Sequence, residues 1–509
     1  MMQTGKVAIL RFDPEIDSQP YYKVFEYPFQ QGMSVLDVAM YIYENLDGTL
    51  SFSYCCRNSH CGLCGARING RPGLMCRESA TLEMTLEPLE NMTVVRDLTV
   101  DRSQYEQRKD SLRLFLDRTS TPVHEPEKID MEAHYKFKVA SRCVECYSCV
   151  SGCPVMRENP NEFLGPAGFV QLARHAFDPR DELNRGILAA SGGVYNCVTC
   201  RKCTDICPHY TTPEENIVDL RAMLYESGHA HASAVGLSKM VKETDKALQQ
   251  PKDKKSFLEQ YANDKMSKLG LFVGCNIDLD QRLQLIGTSA VKVLEKLGYE
   301  VAIPKTQVCC GTPLDEMGAV TQLEELAVRN IEAFAKAGCQ KVITLCSGCG
   351  LSAKKLWPKL YKKATGEEMP FEVQDFSELI AKMDPNKITW QGLKLKISYH
   401  DPCSLKRGQG VYLEPRQVLR SIPEVEYLEM PEADSCCGGG GGLRTTNYEL
   451  TQKIGQGKTD IIKDMDLEAV VTSCPTCIKQ LTINLAQQRL RKVQVLHTAV
   501  VMSRAMGLE

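Results

Sequence analysis

Residues 143–154 have the sequence CVECYSCVSGCP, and the same spacing returns at residues 197–208 as CVTCRKCTDICP. Both follow Cys-x2-Cys-x2-Cys-x3-Cys-Pro, the run that binds [4Fe–4S] clusters in two-cluster ferredoxins, where the fourth cysteine of each run binds the other cluster. A pair of zinc sites is the alternative. We predict two cubane [4Fe–4S] clusters, one held by Cys143, Cys146, Cys149 and Cys207, and the other by Cys197, Cys200, Cys203 and Cys153.

Upstream, the cysteines follow a different spacing. Cys56-x4-Cys61-x2-Cys64, with Cys76 after eleven further residues, is the plant-type arrangement for one [2Fe–2S] cluster. Glycines at 62, 65, 70 and 73 leave room for backbone N–H groups to approach the sulfurs. A zinc site is again the alternative, but zinc favours paired cysteines over a triplet plus one. Cys55 is then surplus, and we expect it not to bind metal.

Downstream, five cysteines are repeated at an offset of 127 or 128 residues, which indicates a duplicated domain. Five thiolates exceed the need of one cubane, so either one is idle or each repeat holds an unusual cluster. Ligand arithmetic favours the second option, because it leaves only Cys55 and Cys339 outside every set. The predicted reactive cysteines are Cys275, Cys309, Cys310, Cys346 and Cys349 in the first repeat, and Cys403, Cys436, Cys437, Cys474 and Cys477 in the second.

Composition limits the classes of function. The chain has 509 residues, a net charge of −3 and 24 cysteines. The near-neutral charge argues against a nucleic-acid partner, and no apolar stretch approaches the length of a membrane span. The N-terminal apolar run is too short for a signal peptide, so we expect a cytoplasmic protein whose cysteines bind metal and do not form disulfides. The run GGGGG at 438–442 lacks the Lys-Ser/Thr of a phosphate loop, which favours close backbone approach to a cluster.

The hydrophobic pattern divides the chain into domains. Strand-like segments (KVAILRF, PYYKVFEYPF) and a helical one (SVLDVAMYIYENL) indicate an α+β domain at residues 1–105. Residues 106–230 are mostly helical in pattern, and a polar stretch at 231–265 is predicted to be a linker. Residues 266–390 and 391–509 each alternate strands and helices, which is typical of α/β domains with ligands at the strand ends.

The N-terminal 230 residues resemble the iron–sulfur subunit of succinate dehydrogenase and fumarate reductase. The resemblance lies in RFDPE at 11–15, in residues 32–76 and in EPLENMTVVRDLTVD at 87–101. It implies a β-grasp [2Fe–2S] domain, an α-helical two-cluster domain, and a separate flavoprotein carrying FAD beside the [2Fe–2S] cluster. That family usually has a non-cysteine residue at the position of Cys200 and a [3Fe–4S] cluster there; with Cys200 present we expect a complete [4Fe–4S].

The C-terminal half resembles the catalytic cysteine-rich subunit of heterodisulfide reductase, whose five-cysteine motifs bind non-cubane [4Fe–4S] clusters. The fusion of both halves resembles the B subunits of thiol:fumarate reductases and, with the halves on separate chains, the methylmenaquinol:fumarate reductases. This implies an electron-transfer subunit with two non-cubane clusters. The chain has no Gly-x-Gly-x-x-Gly strand–turn–helix of its own, so FAD is expected on the partner.

Three functions remain open: electron transfer to fumarate, the same transfer serving another unsaturated acid, and a structural zinc or storage protein. The redox couple at the C-terminal clusters is a thiol/disulfide pair or a quinol. The segment LSAKKLWPKLYKK at 351–363 has the composition of an interfacial membrane helix, which keeps peripheral membrane contact open, although a basic surface segment is favoured. His60, His400, Lys406 and Arg407 lie near predicted ligands, and each is interpreted as either structural or functional.

Overall fold

A computed structural model of the chain describes residues 3–121 and 127–508. The chain divides into two compact units. The first comprises residues 1–197 and 201–224, and the second comprises residues 198–200 and 225–509.

The first unit begins with a five-stranded mixed sheet in the order β2-β1-β5-β3-β4. Alternate side chains of β1, such as Val7 and Ile9, are buried against the helix α1, as the period of two in the sequence predicts. A capping box between Ser34 and Asp37 begins α1. The strands are β1 (Gln3–Arg11), β2 (Tyr21–Phe29), β3 (Gly65–Ile68), β4 (Arg71–Leu74), β5 (Glu83–Glu87), β6 (Val94–Arg96) and β7 (Thr99–Val100).

The remainder of the first unit is helical, as the sequence predicts. Short helices start directly after the cysteines, with Pro154 in the first turn of one of them. The helices are α1 (Val35–Asn45), α2 (Ser103–Asp110), α3 (Met131–Ala140), α4 (Ser148–Ser151), α5 (Pro154–Glu158), α6 (Pro166–Ala176), α7 (Arg185–Ser191), α8 (Lys202–Asp205) and α9 (Pro213–Glu226), with a 3-10 turn at Val194–Asn196.

The second unit contains two parallel four-stranded sheets, in the orders β11-β10-β8-β9 and β13-β12-β14-β15. Numbered within each repeat, the two orders are the same when one is read in reverse, so the cysteine repeat is also a repeat of the fold. The strands are β8 (Leu269–Phe272), β9 (Val301–Ala302), β10 (Lys341–Thr344), β11 (Glu372–Asp375), β12 (Leu395–Tyr399), β13 (Val425–Tyr427), β14 (Ala469–Thr472) and β15 (Gln494–His497).

Helices cover both sheets of the second unit and complete the α/β alternation that the sequence predicts. They are α10 (Ala232–Thr244), α11 (Phe257–Tyr261), α12 (Cys275–Leu279), α13 (Gln284–Lys296), α14 (Thr312–Glu316), α15 (Leu323–Lys336), α16 (Ser347–Lys355), α17 (Trp357–Thr365), α18 (Phe376–Ala381), α19 (Cys403–Gln409), α20 (Leu413–Arg420), α21 (Leu443–Thr446), α22 (Tyr448–Lys463), α23 (Pro475–Gln487) and α24 (Thr498–Ala505), with 3-10 turns at Val320–Gln322 and Pro385–Lys387.

The segment 231–265, interpreted above as a linker, contains α10 and α11. Phe257 and Leu258 are buried in the core of the second unit, where the Phe257 ring lies against the backbone of Gly287. This part of the segment is therefore packed and not an exposed connection. None of the described helices is both long and apolar enough to cross a membrane.

Candidate iron–sulfur sites

The N-terminal cysteines lie in the loop between α1 and β3 and just after β4. Backbone N–H groups of Asn58, His60 and Cys61 donate hydrogen bonds to the Sγ of Cys56 at 3.4, 3.2 and 3.3 Å. These bonds, with that from Asn58 first, lower the pKa of Cys56 to about 7. The thiolate is the form that binds metal. His60 therefore acts on Cys56 through its backbone, while its side chain lies at the exposed surface.

The other predicted ligands of this loop meet Cys56 at the same place. Burial, with the nearby thiols of Cys76 and Cys61, raises the pKa of Cys64 to about 12. The N–H of Ser59 donates to the Cys76 Sγ at 3.2 Å. Cys55, predicted not to bind metal, is exposed.

Two glycines of this loop let its backbone lie close to the backbone of the loop that carries Cys146, and not only close to sulfur atoms. Gly62 has φ of +69°, and a Cβ there would lie 2.3 Å from the Val144 carbonyl oxygen. A Cβ on Gly65 would lie 2.9 Å from the carbonyl oxygen of Cys146. The loop around Cys61 and Cys64 therefore packs directly on the loop around Cys146, without room for a side chain.

We expect Gly62→Ala to destabilise the first unit by roughly 1–3 kcal/mol, since the new methyl group meets a backbone oxygen and φ is positive. Thermal unfolding of the iron-loaded protein and its retained iron are the measurements. Gly70→Ala is the matched control, because Gly70 has φ of +74° but its nearest neighbour to a Cβ is 3.9 Å away. Equal losses in the two variants would contradict the close approach of the loops.

The structure brings together the four cysteines predicted to hold the first cubane. They line one cavity together with Val170 and His209. Burial, followed by the charges of its neighbours, raises the pKa of Cys149 well above its ordinary value, and burial raises that of Cys143 to about 12. A metal cation bound between these thiols would stabilise their thiolate forms. The four are Cys143, Cys146, Cys149 and Cys207.

The second ferredoxin run repeats the backbone of the first. Glu145 and Tyr147 have positive φ, and so do Thr199 and Arg201 at the equivalent positions. Non-glycine residues in this region are uncommon and cluster at functional sites. Cys153, Cys197 and Cys203 are buried in the first unit, where the fully buried Arg221 donates to the Cys197 carbonyl oxygen at 2.8 Å.

In the first repeat, the cysteines follow the carboxyl ends of the adjacent strands β8 and β10 and occupy the loop before α14. Each thiol lies close enough to the next to shift its pKa, so the five form a continuous chain. Bonds from Cys309 and Cys349 lower the pKa of Cys310 well below its ordinary value. The order along this chain is Cys275, Cys309, Cys310, Cys349 and Cys346.

The second repeat has the same arrangement after β12 and β14. The Sγ atoms of Cys437 and Cys477 are 3.4 Å apart, and Cys477 also bonds Cys474. The N–H of Gly438 donates to the Cys436 Sγ at 3.3 Å, as the glycine run predicts. Burial raises the pKa of Cys403 to about 12, and the charges of Cys200 and Cys437 add to it. All five predicted cysteines therefore lie together, with Cys437, Cys474 and Cys477 buried and Cys403 and Cys436 partly exposed.

A sixth cysteine, which sequence reasoning assigned elsewhere, lies at this second site. Cys200 belongs to the second unit, and a hydrogen bond with it is the first cause that raises the pKa of Cys436. Arg407 donates to the Cys200 carbonyl oxygen at 2.9 Å. The Arg407 side chain is only 3% exposed, so it is not part of a solvated loop. No local spacing predicts this contact, because more than 200 residues separate the partners.

The two five-cysteine sites touch each other. Cys346 and Cys474 are equivalent in the repeat and precede α16 and α23. Their thiols lie close enough to shift each other's pKa. Ser347 N donates to Ser473 O at 3.2 Å beside them. Each helix N-terminus favours a thiolate in its first turn. The arrangement places the two candidate metal sites directly beside each other.

The structure also settles the packing of two other predicted features. Cys339, predicted not to bind metal, packs against Gly270 in the core, where burial raises its pKa to about 11. In the 351–363 segment, Trp357 is 0% exposed and its Nε1 donates to the Cys310 carbonyl oxygen at 2.9 Å. Pro358 lies in the first turn of α17, just after the break at Leu356 that separates α17 from α16. The aromatic residues thus support the first cysteine site and do not face a membrane.

Comparisons with known proteins match three kinds of domain to the cysteine groups of this chain. The family model of a 2Fe-2S iron-sulfur cluster binding domain matches residues 6–107, that of a 4Fe-4S dicluster domain matches residues 139–210, and that of a cysteine-rich domain matches residues 269–354 and 397–482. The chain therefore carries iron–sulfur domains in its N-terminal half and a duplicated cysteine-rich domain in its C-terminal half.

Three curated relatives cover the chain in different ways. The B subunit of the fumarate reductase (CoM/CoB) of Methanothermobacter marburgensis is 34% identical over 96% of this chain and 97% of its own length. The D subunit of a dihydromethanophenazine:CoB–CoM heterodisulfide reductase from Methanosarcina barkeri is 29% identical over 67% of this chain and 88% of its own length. The fumarate reductase iron-sulfur subunit of Mycobacterium tuberculosis is 36% identical over 42% of this chain and 90% of its own length.

Proposed function

The chain belongs to the family of the fumarate reductase (CoM/CoB) B subunits, and from this membership we propose that it carries electrons between a thiol/disulfide couple and a FAD-containing partner that reduces fumarate. It is an oxidoreductase component, an iron–sulfur subunit of fumarate reductase or heterodisulfide reductase type. The observation that carries the proposal is the contact of two complete five-cysteine sites through Cys346 and Cys474.

The proposed cofactors follow the cysteine groups. Cys56, Cys61, Cys64 and Cys76 hold a [2Fe–2S] cluster, and the two ferredoxin runs hold two cubane [4Fe–4S] clusters with the ligands given above. Each C-terminal repeat holds a non-cubane [4Fe–4S] cluster. Iron–sulfur clusters supply one-electron transfer when bound. The fit is supported by thiols that are buried, mutually adjacent and, at Cys56, hydrogen-bonded to backbone N–H groups.

The C-terminal repeats serve the thiol couple in this proposal. A disulfide takes up two electrons, and two adjacent one-electron sites match that requirement. The cysteines, helix N-termini and buried Arg407 of this unit hold negatively charged sulfur away from water. The quinol alternative relied on residues 351–363 lying on a membrane, and the burial of Trp357 removes that support. We place the protein in the cytoplasm.

The experiment that tests the function supplies the purified complex with fumarate and either low-molecular-weight thiol pairs or a menaquinol analogue. We expect fumarate reduction with a thiol pair. Turnover with the quinol and with none of the thiols would reject the proposed donor. Failure with fumarate, but turnover with another unsaturated acid, would keep the path of electrons and change the partner's substrate.

The role of Cys200 gives a spectroscopic prediction. If Cys200 completes the second cubane, the oxidised protein kept from oxygen shows no stoichiometric [3Fe–4S] EPR signal, and Cys200→Val creates that signal. Iron analysis of the native protein should give about 18 atoms per chain, the sum for the proposed clusters. A full-yield [3Fe–4S] signal in the native protein would instead assign Cys200 to the second repeat, beside Cys436.

A further inference from the structure

The two cysteine repeats differ at one buried position. The cysteine that follows the first strand of each repeat is Cys275 or Cys403, and three residues before it stand Phe272 and His400 respectively. Phe272 packs edge-on against Trp357, with ring centroids 5.3 Å apart, and fills an apolar core. His400 occupies the equivalent place in the second repeat, where a polar ring replaces an apolar one.

The imidazole of His400 lies beside the Cys437 thiol and has no other hydrogen-bonding partner among the described residues. The residue is 1% exposed, and neither ring nitrogen has a hydrogen-bonding oxygen or nitrogen among the described residues. A buried polar group without a partner costs free energy, and such groups are rare in folded proteins. The position therefore calls for a group that takes the nitrogen's lone pair.

Sulfur ligands surround that nitrogen. A ring nitrogen of His400 and the Sγ atoms of Cys437 and Cys477 all lie within 4.8 Å of one another. The two sulfurs are 3.4 Å apart. Ligands bound tetrahedrally to one metal ion through nitrogen and sulfur lie about 3.6–3.8 Å from each other. The three side chains are thus arranged as a preformed nitrogen–sulfur metal site.

We infer that His400 is a direct ligand to iron in the second repeat, so that this centre has a mixed cysteine–histidine donor set while the first repeat is bound by cysteine alone. The inference rests on the proposed function in one respect, the iron–sulfur cluster assigned to that repeat. An imidazole is a neutral ligand, so putting a thiolate in its place, as in His400→Cys, should lower the reduction potential of this cluster. The two repeats then differ in donor set, and therefore in reduction potential.

The test uses the full complex with 15N-labelled histidine and pulsed EPR of its paramagnetic clusters. We expect a strongly coupled histidine nitrogen in the native protein. This coupling should be lost in His400→Phe, which copies the residue of the first repeat. It should also be lost in His400→Cys, which retains a metal ligand and serves as the test if the phenylalanine variant folds poorly. The potential of one C-terminal cluster should fall in His400→Cys, while that of the other stays unchanged.

The matched control is His497→Asn. His497 is equally buried in the same unit, but its Nε2 bonds the Leu345 carbonyl oxygen at 3.0 Å and its Nδ1 accepts from Ala499 N at 3.1 Å. We expect this variant to keep the coupled nitrogen. No coupled nitrogen in the native protein, or its persistence in both His400 variants, would overturn the inference.

Metal analysis separates this inference from the proposed function. About 10 iron atoms per chain, the number without the C-terminal clusters, would reject the proposed function. About 18 without a coupled nitrogen would reject only the role of His400. One zinc per chain that disappears in His400→Phe would overturn the assignment to iron.

Discussion

Thiol-dependent fumarate reduction by the complex is expected to fall to background in Cys437→Ser, while dye-linked fumarate reduction at the flavoprotein partner persists. Hydrogen bonds from Cys477 and then His400 hold the pKa of Cys437 well below its ordinary value, which favours the thiolate that binds metal. A serine hydroxyl stays protonated and is a poor ligand for iron–sulfur clusters. The two rates, measured on one preparation, separate the thiol site from the site of fumarate reduction.

Cys339→Ser is the matched control for this prediction. Cys339 is also a buried cysteine of the second unit, 5% exposed, but its thiol packs against Gly270 and lies outside the chain of thiols. We expect the substitution to lower stability modestly and to leave thiol-dependent turnover intact. If Cys437→Ser keeps that turnover, or if both variants lose it equally, the C-terminal repeats are not the thiol site.

Short-range patterns in the sequence predicted much of this architecture. Local spacing of a few neighbouring positions defines the cysteines around Cys56 and the two ferredoxin runs. The offset of 127 or 128 residues appears when two such local patterns are compared. The strands β8, β10, β12 and β14 were predictable because β-branched and apolar residues fill buried parallel strands. The cysteines after them were expected at strand ends, where the structure has them.

Contacts across long stretches of chain were not predictable in this way. The approach of Gly62 to Val144 and the contact of Cys200 with Cys436 depend on how distant loops pack. The composition of the 351–363 segment suits both a membrane surface and a basic surface segment, and the second was favoured. The sequence does not reveal that Trp357 is buried, as the structure shows it to be.

The difference between the repeats was also hidden by their similarity. Cysteine spacing alone makes the two sites equivalent. They differ in a flanking residue, which is Phe272 in the first repeat and His400 at the equivalent position of the second. If both repeats hold clusters as proposed, different donor sets would give the two adjacent sites different reduction potentials. The proposed thiol chemistry therefore leads us to expect that the two sites differ in function.

The flavoprotein is expected to dock on the [2Fe–2S] loop, so deletion of residues 1–105 should abolish its co-purification with this chain. The loop offers an exposed face with Tyr54, 41% exposed, and Arg57, whose guanidinium lies 5.3 Å from the Tyr54 ring centroid. The deletion also removes the packing of Gly62 on Val144, so a point variant is needed to separate docking from folding.

Arg57→Glu is that variant, because it reverses the charge of an exposed side chain beside Cys56 and leaves the backbone donors to Cys56 in place. We expect at least a tenfold weaker complex, which corresponds to about 1.4 kcal/mol, with an unchanged [2Fe–2S] EPR signal. Lys359→Glu, which changes an exposed lysine of the first cysteine repeat, should bind the flavoprotein normally. If the flavoprotein still co-purifies with residues 231–509 alone, it docks on the second unit, and electrons enter or leave the chain beside the cysteine repeats instead of at the [2Fe–2S] cluster.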